Sequence, residues 1–215
     1  REDLKYISLF EKQLSARQGF KPKPVSYFEK LIDYLGDKAV IYTTELNINQ
    51  YLSSIESLLE TKKYKVDKLA AKIKLQEYDQ ALQWKNLYGE TVVIAAGIFA
   101  RINSQAWDLY IYNNKQFPML HASDSLHIFA IQDMQKHGVL SYDMVGFSGV
   151  VDKSDAYFGL YKYKSSFNPR FVEYIGEFDY VLNKRAYDNF TNIQRLTKRI
   201  RRKLNSLRYK EKTLR

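Results

Sequence analysis

The chain has 215 residues, 45% hydrophobic and 27% charged, an ordinary globular balance with room for one large domain or a domain with an appendage. It has no cysteine, which excludes disulfides, thiolate nucleophiles and Cys-ligated zinc, and it suits a reducing cytoplasm. Residues 195–215 hold ten Lys or Arg against one acid, Glu211, so nearly all of the net charge of +10 is a property of the tail. No stretch approaches the roughly 20 apolar residues of a bilayer span, and no signal peptide stands out. The opening Arg1-Glu2-Asp3, without methionine, is what a fragment or a trimmed chain would show. The chain carries 18 Tyr and 12 Phe, and tyrosine rings can fill a core while offering a hydroxyl to a groove.

In chain order, residues 3–15 read as an amphipathic helix carrying Leu4, Ile7, Leu9, Phe10 and Leu14. Gly19 and the run from Lys21 to Pro24 break it. A second helix is expected from Val25 to Leu35, stopped by Gly36, and a strand from Ala39 to Leu46. Ile48, Leu52, Ile55 and Leu59 then form an a/d seam that Val66, Leu69 and Ile73 resume. This predicts an antiparallel helical hairpin over 48–87, or one long bent helix, with arms of roughly 25–30 Å that stand out as an appendage. Strands are expected over Thr91–Ala100 and Trp107–Tyr112, paired as a hairpin. A helix over Ser123–Lys136 stops at Gly138. A strand at Ser141–Val145, a short helix at Asp155–Tyr161, a strand at Phe171–Leu182 and a long helix from Lys184 to about Arg208 complete the reading. The class is α+β: a mixed sheet with an inserted helical arm and a basic C-terminal helix.

Two segments carry a family resemblance. They are Gly159-Leu-Tyr-Lys-Tyr-Lys164-Ser-Ser-Phe167-Asn-Pro169 and Glu173-Tyr-Ile-Gly-Glu-Phe-Asp179. Together they resemble the G-x-Y-R-F-K-x-G-F and E-x-I-G-E-F-D pattern of the FemABX peptidoglycan-bridge aminoacyltransferases. The stretches Gly138–Gly149, Tyr110-Ile-Tyr112 and Leu14–Tyr27 are similar to further family segments, and the hairpin resembles the coiled-coil arm of some members. The resemblance covers nearly the whole chain but about half of a complete family protein. It implies the second of two GNAT-like (acetyltransferase-like) domains, over 1–47 and 88–194, with 48–87 the inserted arm and 195–215 a basic tail. It also implies transfer of an amino acid from aminoacyl-tRNA to a stem-peptide amine of lipid II or a UDP-linked precursor. No cofactor or metal is implied. The partners implied are the charged tRNA, the precursor, the N-terminal half of the same protein and an anionic membrane surface. The expected place is the cytoplasm, at the inner face of the membrane, and this half is expected to be inactive alone.

The resemblance also assigns roles. Aminolysis of an ester passes through a tetrahedral oxyanion, and Lys164, matching the family lysine, would stabilise it beside Tyr163 as an aromatic wall. The alternative for Lys164 is an ordinary surface lysine. Tyr110 and Tyr112, alternate residues of one strand, would face one groove or pack in the core. Lys23 and Tyr27 would meet a diphosphate at a helix start, with Arg17 as the other candidate because the family more often uses arginine there. Asp143, Glu173 and Glu177 are further candidates, and Glu177 with Asp179 could orient a lysine. Ser166 replaces a glycine and would be strained if that position needs a positive φ. Gly146-Phe147-Ser148-Gly149 departs from a Gly-Gly pair.

In the tail, Ile193, Leu196, Ile200, Leu204 and Leu207 form one stripe. Arg199, Arg201, Arg202 and Lys203 on the other faces would attract a tRNA backbone or a membrane, or simply remain solvated. His121, His127 and His137 show no metal-ligand spacing. Two other classes remain open: an acyl-CoA N-acyltransferase of GNAT type, although no pyrophosphate-binding Gly-rich loop is present, and a non-catalytic RNA-binding module.

Overall fold

The architecture follows from one strand that is apolar on both faces. In the computed structural model, β2 (Thr91–Ile102) is buried almost continuously from Val93 to Ala100. Such a strand needs cover on each side. The structure describes residues 2–213 apart from Met119, Phe147, Ser148, Val150, Ala156 and Glu177, and gives the backbone alone at Lys198 and over 201–213.

The chain begins with α1 (Leu4–Gln18) and α2 (Val25–Leu35), followed by a short 3-10 turn at Gly36–Lys38 and β1 (Ala39–Asn47). Gly19 ends α1 in the left-handed region at φ 73, where a glycine has no Cβ penalty. The arm is α3 (Ile48–Leu59), α4 (Lys62–Val66) and α5 (Lys68–Tyr88). Asn47 caps α3 by accepting from the Gln50 N–H, and Asp67 caps α5 by accepting from the Ala70 N–H. After β2 come β3 (Gln105–Asn113), α6 (Ala122–Lys136) and β4 (Ser141–Asp143). The sheet order is β1-β2-β3-β4, antiparallel except for the parallel β3–β4 pair.

One sheet face packs on α1 and α2 through Ile7, Phe10, Phe28 and Ile98. The other packs on α6 and the base of the arm through Ile48, Trp84, Phe99, Leu126 and Met134. Two register shifts, at Thr44/Glu45 and at Ile98/Phe99, adjust which side chains face which layer. The second inserts Leu109. Leu109, Tyr110 and Tyr112 therefore join the α1/α2 layer, while Asp108 meets His127 of α6.

The arm differs from expectation in two ways. Its base is core: Ile48, Leu52, Ala81 and Trp84 are buried. Val66, Leu69 and Ile73, expected to continue the seam, are instead 73%, 69% and 56% exposed. The 12-residue α3 is too short to reach the far turns of the 21-residue α5. Polar clamps join the arms instead, with Tyr51 donating to Glu77 and Tyr78 to Glu56 at 2.7 Å.

Gly97 lies in the tightest part of β2. A Cβ there would stand 2.7 Å from Ile111 Cδ1 and 2.7 Å from Phe99 Cε2. Phe99 is fully buried, so it has little room to yield. Gly97→Ala is expected to destabilise the fold by about 1–3 kcal/mol, read as a lower urea midpoint. A midpoint equal to wild type would show that the core gives way freely.

The chain divides by its contacts into two units, residues 1–150 and 151–215. In the second, α7 (Phe158–Ser165) begins three residues and ends four residues later than the helix expected at Asp155–Tyr161. The strand expected at Phe171–Leu182 does not form: the described residues there have no regular structure. A strand needs a partner for its backbone groups, which an alternating composition does not by itself supply. Ile175 and Tyr180 in this segment are each 90% exposed, while Phe171 stacks on Tyr161 at 5.6 Å. The strand expected to Val145 ends at Asp143, and Val145 turns out at φ 59. The final helix, α8 (Lys184–Thr213), starts where Asn183 Oδ1 accepts from the Ala186 N–H at 3.1 Å. Ile193, Leu196 and Ile200 on it are exposed. Among the described residues no helix is long and apolar enough to cross a membrane.

Candidate functional site

A tyrosine–lysine–glutamate cluster forms where α1, the start of α2 and β3 meet. Pro24 sets an extended entry into α2 and places Tyr27 in its first turn. The Tyr27 and Tyr110 hydroxyls are 2.8 Å apart, and their rings meet edge to face at 6.2 Å. Tyr110 also meets Phe28 edge to face at 5.3 Å and stacks on Tyr112 at 6.2 Å and 4°. Tyr112 is 5% exposed, and its hydroxyl is hydrogen-bonded to Glu11. Tyr27 stays at the surface and Tyr110 is half-buried.

Glu11 is the hub of this cluster. Its Oε1 accepts from the Lys23 N–H at 3.0 Å, and the Lys23 amine lies 3.5 Å away. That amine also sits 5.1 Å over the Tyr110 ring and 6.0 Å over Tyr27. Lys23 is thus already engaged by an acid and by two aromatic faces. The sequence reading missed Glu11, although one signal was present: an acid on the buried stripe of α1, between Ile7 and Ser15.

The cluster predicts a pH response. Burial, then the Glu11 hydrogen bond, holds the Tyr112 hydroxyl well above the usual tyrosine range. Burial, then the Tyr27 hydroxyl, does the same to Tyr110. The folded chain therefore retains protons that the unfolded chain releases. Stability from these groups is fully present below about pH 10 and is lost as pH rises beyond it toward the raised folded values. Urea midpoints at about pH 8 and about pH 11 should show this loss, and Tyr112→Phe should lessen it. An identical fall in wild type and variant would remove Tyr112 from the effect.

Arg17 does not join Lys23. It is exposed in the last turn of α1 and lines a cleft with Phe10, Leu14, Ile111, Tyr112, Asn113 and Lys115. Lys115, in the turn after β3, is a second residue that the sequence reading passed over. His127 and Asp108 are a third such feature: a buried pair at 3.0 Å, with His127 Nδ1 3.1 Å from the Ser123 carbonyl oxygen. No spacing signal could have shown it, because the two lie on different elements.

In the second unit, Lys164 lies on α7 and is 8% exposed, not an open surface lysine. Tyr163 packs edge to face on Phe167 at 5.5 Å. Ser166 has φ −66 and ψ −19, ordinary helical values, so its side chain carries no backbone strain. The positive φ falls on Asn168 instead, at 51. Asp179 accepts from the Tyr187 hydroxyl at 2.5 Å. Glu173 is exposed, and Glu177 lies outside the described residues. Asp143 Oδ1 accepts from the Val145 N–H at 2.7 Å. Of the tail residues, Arg199 is exposed, and the side chains of Arg201, Arg202 and Lys203 lie outside the described residues, as do Phe147 and Ser148. Among the described residues no group of three His, Asp or Glu could hold a metal ion.

Comparison with known proteins agrees with this architecture. The FemAB family model matches residues 1–195. The chain is 24% identical over 219 residues to Aminoacyltransferase FemB of Staphylococcus epidermidis, covering 92% of this chain and 52% of that protein. It is 27% identical over 220 residues to Lipid II:glycine glycyltransferase of Staphylococcus saprophyticus subsp. saprophyticus, covering 92% and 53%. The crystal structure of FemX matches with a TM-score of 0.64 at 21% identity, over 87% of this chain and 53% of that one. The chain thus spans about half the length of the relatives it matches. A family match that runs from the first helix into the last, on the fold of FemX, makes this chain a member of the FemAB family.

Proposed function

We propose that this chain is part of an aminoacyltransferase that adds an amino acid, from aminoacyl-tRNA, to a stem-peptide amine of a peptidoglycan precursor. The observation that carries this reading is the hydroxyl pair of Tyr27 and Tyr110, in a chain aligned over 92% of its length with an aminoacyltransferase and a glycyltransferase. Two hydroxyls on an aromatic wall suit a ligand that is part peptide and part sugar.

In the reaction, the acceptor amine attacks the ester carbonyl carbon. The tetrahedral oxyanion then collapses, the ribose hydroxyl leaves and takes up the proton lost by the amine, and an amide remains. Lys164 is the cation assigned to that oxyanion, with Tyr163 beside it excluding water. The acceptor is lipid II or its soluble UDP-linked precursor. Arg199 and the basic face of α8 would meet the tRNA backbone. The N-terminal half of the same protein would complete the enzyme. The work would be done in the cytoplasm, against the inner membrane face when the acceptor is lipid-linked.

The test is incubation of the full-length protein with charged tRNAs and either acceptor, with mass detection of the product. A gain of one aminoacyl residue is expected. No product from any charged tRNA, together with acetylation from acetyl-CoA, would replace this reading with the acyl-CoA one.

A further inference from the structure

The far end of the arm carries an apolar stripe among lysines. Val66, Leu69 and Ile73 are largely exposed there. Residues 61–75 hold Lys62, Lys63, Lys65, Lys68, Lys72 and Lys74 against one acid, Asp67, and the arm as a whole has no arginine. That acid is used within the arm, since Asp67 accepts from the Ala70 N–H. Lys65 pairs with Glu60 at 2.8 Å and Lys74 with Glu77 at 2.5 Å, while Lys62, Lys63, Lys68 and Lys72 are exposed. Stability accounts for neither feature. Leu69 and Ile73 gain little from folding because they stay in water. Lys68 is the first residue of α5, at the positive end of the helix dipole, where a cation is disfavoured. A solvated charged face would explain the lysines but not the aliphatic side chains among them. Leu69 stands roughly 22 Å along α5 from the buried Trp84, well away from the core.

We propose that the far end of the arm, residues 61–75, docks on an anionic phospholipid surface, with Val66, Leu69 and Ile73 entering the headgroup layer and the lysines meeting the lipid phosphates. Such a surface offers together the two things this segment calls for, negative charge and hydrocarbon just beneath it. Lysine suits that depth, because its stem lies along apolar atoms while its amine stays among the headgroups. An RNA backbone would engage the lysines but leave the stripe in water. Unpaired bases stack on aromatic rings, whereas this stripe is aliphatic. The proposal goes beyond the transfer reading by saying which surface of the chain meets lipid. Lipid binding is measured without any transfer, so its failure would leave that reading standing.

The experiment is co-sedimentation of the full-length protein with vesicles of equimolar phosphatidylcholine and phosphatidylglycerol, alongside vesicles of phosphatidylcholine alone and bulk uncharged tRNA. Binding to the anionic vesicles, and much less to the neutral ones, is expected. Leu69→Gln combined with Ile73→Gln should weaken it about tenfold or more, with the thermal midpoint unchanged. Lys68→Gln combined with Lys72→Gln should weaken it about as much at low salt and far less at high salt, where charge is screened. Leu69→Trp should add a blue-shifted emission on the anionic vesicles relative to wild type. Binding of tRNA by the Leu69/Ile73 variant should change by less than about threefold. Absence of binding to the anionic vesicles would overturn the proposal. So would wild-type vesicle binding by both double variants, which would move the lipid contact elsewhere, as to α8. A tRNA loss in the Leu69/Ile73 variant larger than its vesicle loss would assign the segment to RNA instead. A lowered thermal midpoint in that variant, or loss of a dimer that wild type forms, would show that protein covers the stripe.

Discussion

Lys164→Met should cut aminoacyl transfer by the full-length protein about 10²–10³-fold in kcat, the loss seen when one oxyanion-stabilising group is removed elsewhere. Methionine is the informative replacement because Lys164 is buried. It keeps most of the side-chain volume and removes only the charge. Lys164→Ala should abolish detectable transfer but also leaves a void, so it needs a stability control beside it. The effect should fall on kcat with KM for the acceptor nearly unchanged, because the charge develops only in the transition state. Lys164→Arg should restore part of the rate. Near-normal turnover by the methionine variant, with the thermal midpoint preserved, would remove the oxyanion role. A raised KM at unchanged kcat would move Lys164 to substrate binding.

The largest stability effect is expected at Trp84. It is 5% exposed, stacks on Tyr51 at 6.3 Å and packs on Phe117 at 4.6 Å. Through these contacts the arm is tied to the sheet layer that also holds Ile48 and Leu126. Trp84→Ala should cost about 3–5 kcal/mol, the usual range for a large aromatic removed from a core. With a urea slope of about 2 kcal/mol per molar, the midpoint should fall by roughly 1.5–2.5 M. Leu69→Ala, on the exposed part of the same helix, should change it by no more than about 0.5 kcal/mol. A Trp84 loss under about 1 kcal/mol would mean that the arm folds independently of the sheet.

The contrast between Trp84 and Leu69 marks the limit of reading periodicity. Both lie on α5, and Leu69, with Val66 and Ile73, is expected from its spacing to continue the apolar seam of α3. Spacing shows that a helix has an apolar face; it does not show how far the opposing helix extends. α3 ends at Leu59, and beyond its reach Val66, Leu69 and Ile73 are largely exposed. The same reasoning applies to Phe171–Leu182. Its composition is that of a strand, but a strand is a relation between two segments, and the composition of one does not supply the second.

The sequence by itself determined the local elements of this protein: α2 over Val25–Leu35, the pairing of two central strands, the stop at Gly138 and the concentration of charge in the last helix. These depend on side-chain period, turn residues and capping, all interactions between near neighbours in the chain. It also carried the family motifs, including Lys164. Only the tertiary structure decided what the polar residues do. Glu11 reaches Lys23 and Tyr112 from α1, and Asp108 turns to His127 because a single inserted residue, Leu109, shifts the strand register. Burial makes such pairings obligatory, since a charge or hydroxyl removed from water must find a partner. Which partner it finds is set by register and helix placement, which no local pattern encodes.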